Sequence, residues 1–140
     1  MQALGCHIIA ELSECRPSVL SNMEQVKQIM IEAAERANTQ VRAVAFHKFS
    51  PQGISGVVVI AESHLSIHTW PEYGYAAIDI YTCGEQADPW KACRYITEQF
   101  EAGRVSVTTV DRGIKIPQGW YGHSISSRSV EGGVPVAKSA

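Results

Sequence analysis

The sequence has no long hydrophobic run and no basic tract, and each absence excludes a class of protein. No apolar stretch approaches the roughly 20 residues that a membrane-spanning helix needs. The net charge is −2 with both signs mixed along the chain, so no basic stripe is available for nucleic acid. The first residues lack a basic segment followed by an apolar one, so we expect no secretory signal and a cytoplasmic location. A small molecule is the expected ligand.

Cysteine is scarce and scattered, which excludes a disulfide framework and a zinc module. The four cysteines stand singly, with no C-x-x-C pair and no cluster with histidine at zinc-site spacing. A protein in a reducing compartment needs no disulfides. Cys6, Cys15 and Cys93 are therefore interpreted as small packing residues. Cys83 is set apart by the reactive side chains that precede it.

Hydrophobic periodicity predicts strands and helices over the first 113 residues, and 140 residues suffice for one domain with a core. Alternating or short apolar runs predict strands at 4–12, 41–49, 54–61, 64–70, 75–82 and 104–110. A 3.6-residue period predicts a helix from Met23 to Ala37, preceded by the capping-box spacing Ser21-x-x-Glu24. A second helical stripe runs to Phe100, with Asp88 as N-cap and proline in the first turn.

The predicted order is β-α-β-β-β-β-α-β, which indicates an α+β fold. We expect a two-layer sandwich in which a mainly antiparallel sheet carries two helices on one face. The other face needs a cover, and a second copy of the chain would supply one, so we expect a homodimer. Residues 1–113 are predicted to form this single domain. Residues 114–140, where periodicity is lost and serine is frequent, are predicted to be an irregular tail.

Side chains capable of chemistry are concentrated between Glu62 and Cys83. The segment from His64 to Trp70 alternates between a polar or aromatic residue and a core-like residue, which is typical of a strand with one buried face. The polar face carries His64, Ser66, His68 and Trp70. The other face carries Leu65, Ile67 and Thr69.

Taken alone, these residues leave three interpretations open. Ser63 and His64 are ordinary polar residues of a turn in the first. In the second they join Asp79 in a hydrolase triad, although the G-x-S-x-G elbow and the doubly wound sheet that present such a serine are missing. The third is a metal site, against which the strand-like alternation argues. Its candidate ligands are His47, His64, His68 and Glu72.

A longer pattern is more specific than any of these. From His47 to Glu72 the chain reads HKFSPQGISGVVVIAESHLSIHTWPE, and the pattern continues from Tyr75 to Cys83 and Gly84. It closely resembles the prokaryotic S-adenosylmethionine decarboxylases, small pyruvoyl-dependent carboxy-lyases of polyamine and spermidine biosynthesis. The resemblance runs from about residue 4 to residue 113 and is densest over residues 47–84. The tail is not part of it.

The resemblance implies that Ser63 is the precursor of a cofactor. In such proenzymes the serine hydroxyl attacks the preceding carbonyl, here that of Glu62, to form an ester. β-Elimination then cuts the chain into residues 1–62 and 63–140, and residue 63 becomes a covalent pyruvoyl group. Ser55 is implied to assist the ester stage, and His68 to accept the proton in the elimination. The resemblance implies no metal and no pyridoxal phosphate.

For turnover, the resemblance implies that the pyruvoyl ketone forms a Schiff base with S-adenosylmethionine and accepts electrons as carbon dioxide leaves. Cys83 is implied to be the proton donor. The π faces of Phe49 and Trp70 suit adenine and the sulfonium cation, and Glu72 suits the ribose hydroxyls. Leu65 and the ring of His68 are expected to complete the wall of the substrate site.

In this family the site is built where two protomers meet, so Glu72 is expected to act across the interface of the homodimer. One alternative keeps the same machinery but takes L-ornithine or L-arginine, whose positive group would pair with Glu72 or Asp79. Another is a non-catalytic homologue. Such a protein would have lost Ser63, His68 or Cys83, and all three are present.

Overall fold

The computed structural model describes residues 2–131, which contain one sheet and a layer of helices. The strands are β1 (Gly5–Ser13), β2 (Val41–Lys48), β3 (Ile54–Ile60), β4 (Ser63–Trp70), β5 (Tyr75–Cys83), β6 (Arg104–Lys115) and β7 (Tyr121–Glu131). The helices are α1 (Pro17–Leu20), α2 (Met23–Arg36) and α3 (Pro89–Gln99). A 3-10 turn, Pro71–Tyr73, joins β4 to β5.

The strands form one seven-stranded sheet in the order β2-β3-β4-β5-β1-β6-β7, and neighbouring strands are antiparallel. Helix α2 packs on β2 and β3, α3 packs on β1 and β5, and the two helices touch each other. The α+β class is confirmed, as a sheet with helices on one face. No helix within residues 2–131 is long and apolar enough to cross a membrane.

Strand parity decides which side chains enter the core between sheet and helices. On β1, Ile8, Ala10 and Leu12 are at most 1% exposed, whereas the residues between them are half-buried on the opposite face. Strands β4 and β5 alternate in the same way. The helix-free side of the sheet, called the open face from here on, therefore displays the polar and aromatic members of each strand.

Polar side chains fix where the long helices begin. The Asp88 carboxylate accepts a hydrogen bond from the amide of Trp90 at 3.1 Å, and proline occupies the first turn, as predicted. At α2 the predicted capping box is wrong. The cap is Asn22, whose side-chain oxygen accepts from the Gln25 amide at 3.1 Å. Ser21 is unavailable because it closes α1, donating its hydroxyl to the carbonyl of Pro17 at 3.0 Å.

The predicted irregular tail is wrong over most of its described length. Strand β6 continues to Lys115, and β7 pairs with it in an antiparallel ladder that reaches Glu131. Strand β7 is rich in serine, and its side chains from His123 to Ser129 are exposed on both faces, so its pairing depends on backbone hydrogen bonds rather than on burial. Hydrophobic periodicity cannot detect such a strand. Residues 132–140 of the predicted tail lie outside the described residues.

Candidate active site

The hairpin between β3 and β4 places Ser63 directly after a strained residue. Ile60 pairs with Ser63, so Ala61 and Glu62 form a two-residue loop. Glu62 has a φ of 79°, in the left-handed region, which costs a non-glycine residue about 1–2 kcal/mol. Ser63 begins β4 and is half-buried. The peptide bond between Glu62 and Ser63 therefore lies at an accessible hairpin end beside an unfavourable backbone conformation.

Cys83 lies at the same end of the sheet as Ser63. It is the last residue of β5 and pairs with Gly5 of β1. His64 pairs with Tyr81 on β5, and extending this register by two residues places Glu62 opposite Cys83. Glu62, Ser63 and Cys83 are called the cleavage end. By parity Cys83 belongs to the open face, whereas Ser63 starts on the helix side together with the buried Leu65.

Ser55 and His68 form a hydrogen-bonded pair on the open face. They lie directly opposite each other on β3 and β4, and the Ser55 hydroxyl oxygen is 2.8 Å from Nδ1 of His68. His68 is exposed, and its ring centroid is 6.3 Å from that of Trp70. A hydroxyl and an imidazole at this distance can exchange a proton. The two residues that the resemblance implicates in processing are thus in contact.

Exposed aromatic rings and a carboxylate lie at the same end of the sheet as this pair. Trp70 is 38% exposed and stacks on Tyr75, with centroids 5.1 Å apart and an interplanar angle of 20°. Tyr75 is anchored by donating its hydroxyl to the Glu11 carboxylate; burial and that carboxylate raise the pKa of Tyr75 to about 12. Phe49 follows β2 and is 48% exposed, and Glu72 is exposed in the 3-10 turn. We call Phe49, Ser55, His68, Trp70 and Glu72 the histidine end.

Leu65 does not belong to this surface. Its side chain has no exposure and lies on the helix side of β4, packed in the hydrophobic core. The prediction that this side chain forms part of a substrate wall is wrong, because a residue of core parity cannot also reach the open face.

The structure does not bring His68 to Ser63. The two residues are five positions apart on a continuous strand, which at about 3.3 Å per residue separates them by about 17 Å. Ser55 is equally remote, since it pairs with His68 whereas Ile60 pairs with Ser63. The cleavage end and the histidine end therefore lie at opposite ends of the same hairpin. Proton transfer needs contact within about 3 Å.

Asp79 is the centre of a network that the sequence did not reveal. One carboxylate oxygen is 3.1 Å from Nε2 of His7, and the other accepts a hydrogen bond from the Ser66 hydroxyl at 3.0 Å. Asp79 is therefore occupied by β1 and β4 partners and does not orient His64 towards Ser63, so the triad interpretation fails. By strand parity His7 belongs to the open face. Its contact with Asp79 joins residues 72 positions apart in the sequence, so no local pattern predicts it.

The structure also bears on the candidate metal ligands and on the three other cysteines. Within residues 2–131, no three His, Cys, Asp or Glu side chains converge as metal ligands, so the candidate set from His47 to Glu72 does not assemble. Cys15 and Cys93 are buried, and burial raises the pKa of each thiol to about 12. Burial, then the charge of Asp111, also raises the pKa of Cys6. These thiols stay protonated, as packing residues do.

Comparisons with known proteins identify similar chains. The family model described as S-adenosylmethionine decarboxylase matches residues 6–113. A protein of Caldicellulosiruptor saccharolyticus named S-adenosylmethionine decarboxylase proenzyme is 62% identical over 114 residues, covering 81% of this chain and 92% of that protein. One of the same name from Moorella thermoacetica is 56% identical over 117 residues, covering 84% and 94%. The crystal structure of the adenosylmethionine decarboxylase from Aquifex aeolicus vf5 matches with a TM-score of 0.70 and 29% identity, over 100% of this chain and 99% of that one.

Proposed function

Because the chain belongs to the S-adenosylmethionine decarboxylase family, we propose that it performs this reaction with a pyruvoyl group made from its own Ser63. It is a carboxy-lyase that converts S-adenosylmethionine to its decarboxylated form, the aminopropyl donor of spermidine and polyamine biosynthesis. The observation that carries the proposal is the position of Ser63, immediately after the strained Glu62 in the hairpin loop. The alternative substrates ornithine and arginine gain no support from these relatives.

Residue 63 is suited to become the pyruvoyl group. Within residues 2–131 no group forms a hydrogen bond with the Ser63 hydroxyl, which leaves it free to attack the carbonyl of Glu62. Cleavage there would release residue 63 from the hairpin, so that it could turn from the helix side to the open face, where Cys83 lies. A pyruvoyl ketone supplies the electron sink that decarboxylation of an α-amino acid requires.

We infer that the working enzyme is a homodimer, because one chain separates its own reactive groups. If the open faces of two protomers pack with their strands reversed, the histidine end of one lies over the cleavage end of the other. A two-fold axis makes this contact twice and so builds two equivalent sites. Apolar side chains on the open face support such packing: Val59 is 41% exposed, and Val57 and Ala45 lie beside it on the same face.

In this arrangement each protomer supplies half of a site. Ser55 and His68 of one protomer would act on the scissile bond of the other, first at the ester stage and then as the base for the Cα proton. Cys83 would stay beside the residue 63 of its own chain and donate a proton to the substrate carbon after decarboxylation. Phe49, Trp70 and Glu72 would hold the adenosyl group and the sulfonium, since π faces and a carboxylate attract that cation.

Two measurements test the proposal. Mass spectrometry of the purified protein is expected to find two fragments, residues 1–62 and 63–140, with the second bearing a ketone in place of an amino group at its start. Carbon dioxide release is expected from S-adenosylmethionine but not from L-ornithine or L-arginine when the three are assayed side by side. A chain that remains whole after prolonged incubation, with Ser63 intact, would refute self-processing.

Glu62→Gly is expected to slow self-cleavage. Glycine adopts the left-handed region without the cost of about 1–2 kcal/mol that Glu62 bears, so the proenzyme loses strain that cleavage would relieve. The expected decrease in the rate constant is about 5- to 30-fold. The measurement is the disappearance of full-length chain on gels after synthesis in a cell-free system.

Two controls accompany this variant. Glu62→Ala removes the carboxylate but keeps the strained backbone, so its cleavage rate should equal that of the wild type. Glu101→Gly relieves a positive φ of 52° away from the hairpin and should leave the rate unchanged. If Glu62→Gly cleaves as fast as Glu62→Ala, backbone strain has no part in processing.

A further inference from the structure

His47 belongs to the same row of side chains as the Ser55–His68 pair, yet the proposed reaction gives it no role. It lies directly opposite Ser55 on the neighbouring strand, and Ser55 lies directly opposite His68. The three side chains thus cross β2, β3 and β4 in one row on the open face, with the hydroxyl between two imidazoles. His47 is exposed at the edge of the sheet.

The imidazole of His47 contacts the ring of Phe49. Their centroids are 4.6 Å apart and their planes are inclined by 72°, an edge-to-face arrangement that aromatic pairs favour. Phe49 lies just beyond the end of β2 and is 48% exposed. Its backbone is fixed, since its amide donates to the carbonyl of Gly53 at 2.8 Å. Within residues 2–131, the ring of His47 is the one aromatic ring in contact with that of Phe49.

His47 also borders the space beside the Ser55–His68 pair. Together with Ser55 and His68 it lines a hollow of about 390 Å³ on the open face, whose floor includes Ala45 and Val57. The small side chains of the floor leave room for a flat group. His47 therefore borders this hollow and also contacts Phe49.

We propose that His47 is a positioning residue that holds Phe49 in the orientation in which it stacks on the adenosyl group of the substrate. The inference rests on the proposed function and extends it to a residue that does not touch the reacting atoms. Without the edge contact, the exposed phenyl ring occupies several rotamers, and the substrate has to select one of them. Binding then weakens, whereas proton transfers at residue 63 and Cys83 are unaffected.

The test separates KM from kcat and from processing. His47→Ala is expected to raise KM for S-adenosylmethionine about threefold to tenfold, the range of one aromatic pair. The value of kcat and the extent of cleavage should stay within about twofold of the wild type. His47→Phe restores the ring edge and should restore KM. Lys48→Ala, at the adjacent position of opposite parity, should change none of the three quantities.

A double-mutant cycle decides whether His47 acts through Phe49. In a Phe49→Ala background, His47→Ala is expected to cause no further rise in KM, because the ring that it positions is gone. Independent, multiplicative effects would overturn the inference, as would an unchanged KM in His47→Ala or a proenzyme of that variant that stays uncut. If the wild type itself is uncut and inactive with S-adenosylmethionine, the proposed function fails instead, so the two failures are distinguishable.

Discussion

Co-expression of the Ser63→Ala chain with the His68→Ala chain is expected to restore about a quarter of the wild-type active sites, although each variant alone is uncut and inactive. Random pairing makes half of the dimers mixed, and a mixed dimer contains one site with an intact Ser63 facing an intact His68. The second site of that dimer has lost both residues. The measurements are the yield of pyruvoyl-bearing fragment by mass spectrometry and the rate of carbon dioxide release.

The matched control pairs two substitutions at the same end of the sheet. Ser63→Ala combined with Cys83→Ala leaves every site of a mixed dimer with one defect, because both residues belong to the cleavage end. Decarboxylation should then stay as slow as that of Cys83→Ala alone. If the first pair of chains also fails to recover activity while mixed dimers are present, each chain processes itself, and the reversed packing of open faces is wrong.

Cys83→Ala is expected to cut itself normally and then decarboxylate S-adenosylmethionine about 10²- to 10⁴-fold more slowly, the usual contribution of a positioned general acid. Cleavage is unaffected because the base assigned to it is His68, at the other end of β4. The comparison needs a fragment count by mass spectrometry and kcat for S-adenosylmethionine.

Cys6→Ala is the matched control for the loss of a thiol. Cys6 lies on β1, beside the strand that ends in Cys83, is also half-buried, and has the parity of the helix side. Its removal should leave kcat unchanged. Normal turnover by Cys83→Ala would remove Cys83 from the reaction, whereas an uncut Cys83→Ala chain would assign it to processing.

Local sequence signals predicted the elements correctly where one physical effect dominated. The alternation from His64 to Trp70 gave the parity of β4, because burial against the helices leaves no other arrangement for Ile67 and Thr69. Thr69 confirms this parity, since its hydroxyl donates to the carbonyl of Leu20 and accepts from the amide of Ile54, each at 3.0 Å. The Asp88 cap was equally predictable because it involves residues two positions apart.

The arrangement of the candidate site was less predictable because it depends on distances across the sheet. The resemblance makes His68 the base for elimination at Ser63, yet a straight strand carries His68 about 17 Å from Ser63. The network of His7 with Asp79 depends on the pairing of β1 with β5, which no local pattern encodes. Strand β7 was missed because its serine-rich faces bury little apolar surface. Its backbone hydrogen bonds to β6 supply the stabilisation that burial does not.

The order of strands in the sheet has a consequence for how this protein must be made. The proposed cleavage after Glu62 would assign β1, β2 and β3 to one fragment and β4 to β7 to the other, while β1 would remain between β5 and β6. The uncut chain folds in a first-order reaction. A cut molecule, once unfolded, would have to refold in a second-order reaction, in which a strand enters between two strands of a different polypeptide. The proposed cleavage therefore requires that folding comes first, and recovery of the heat-unfolded enzyme should depend on its concentration.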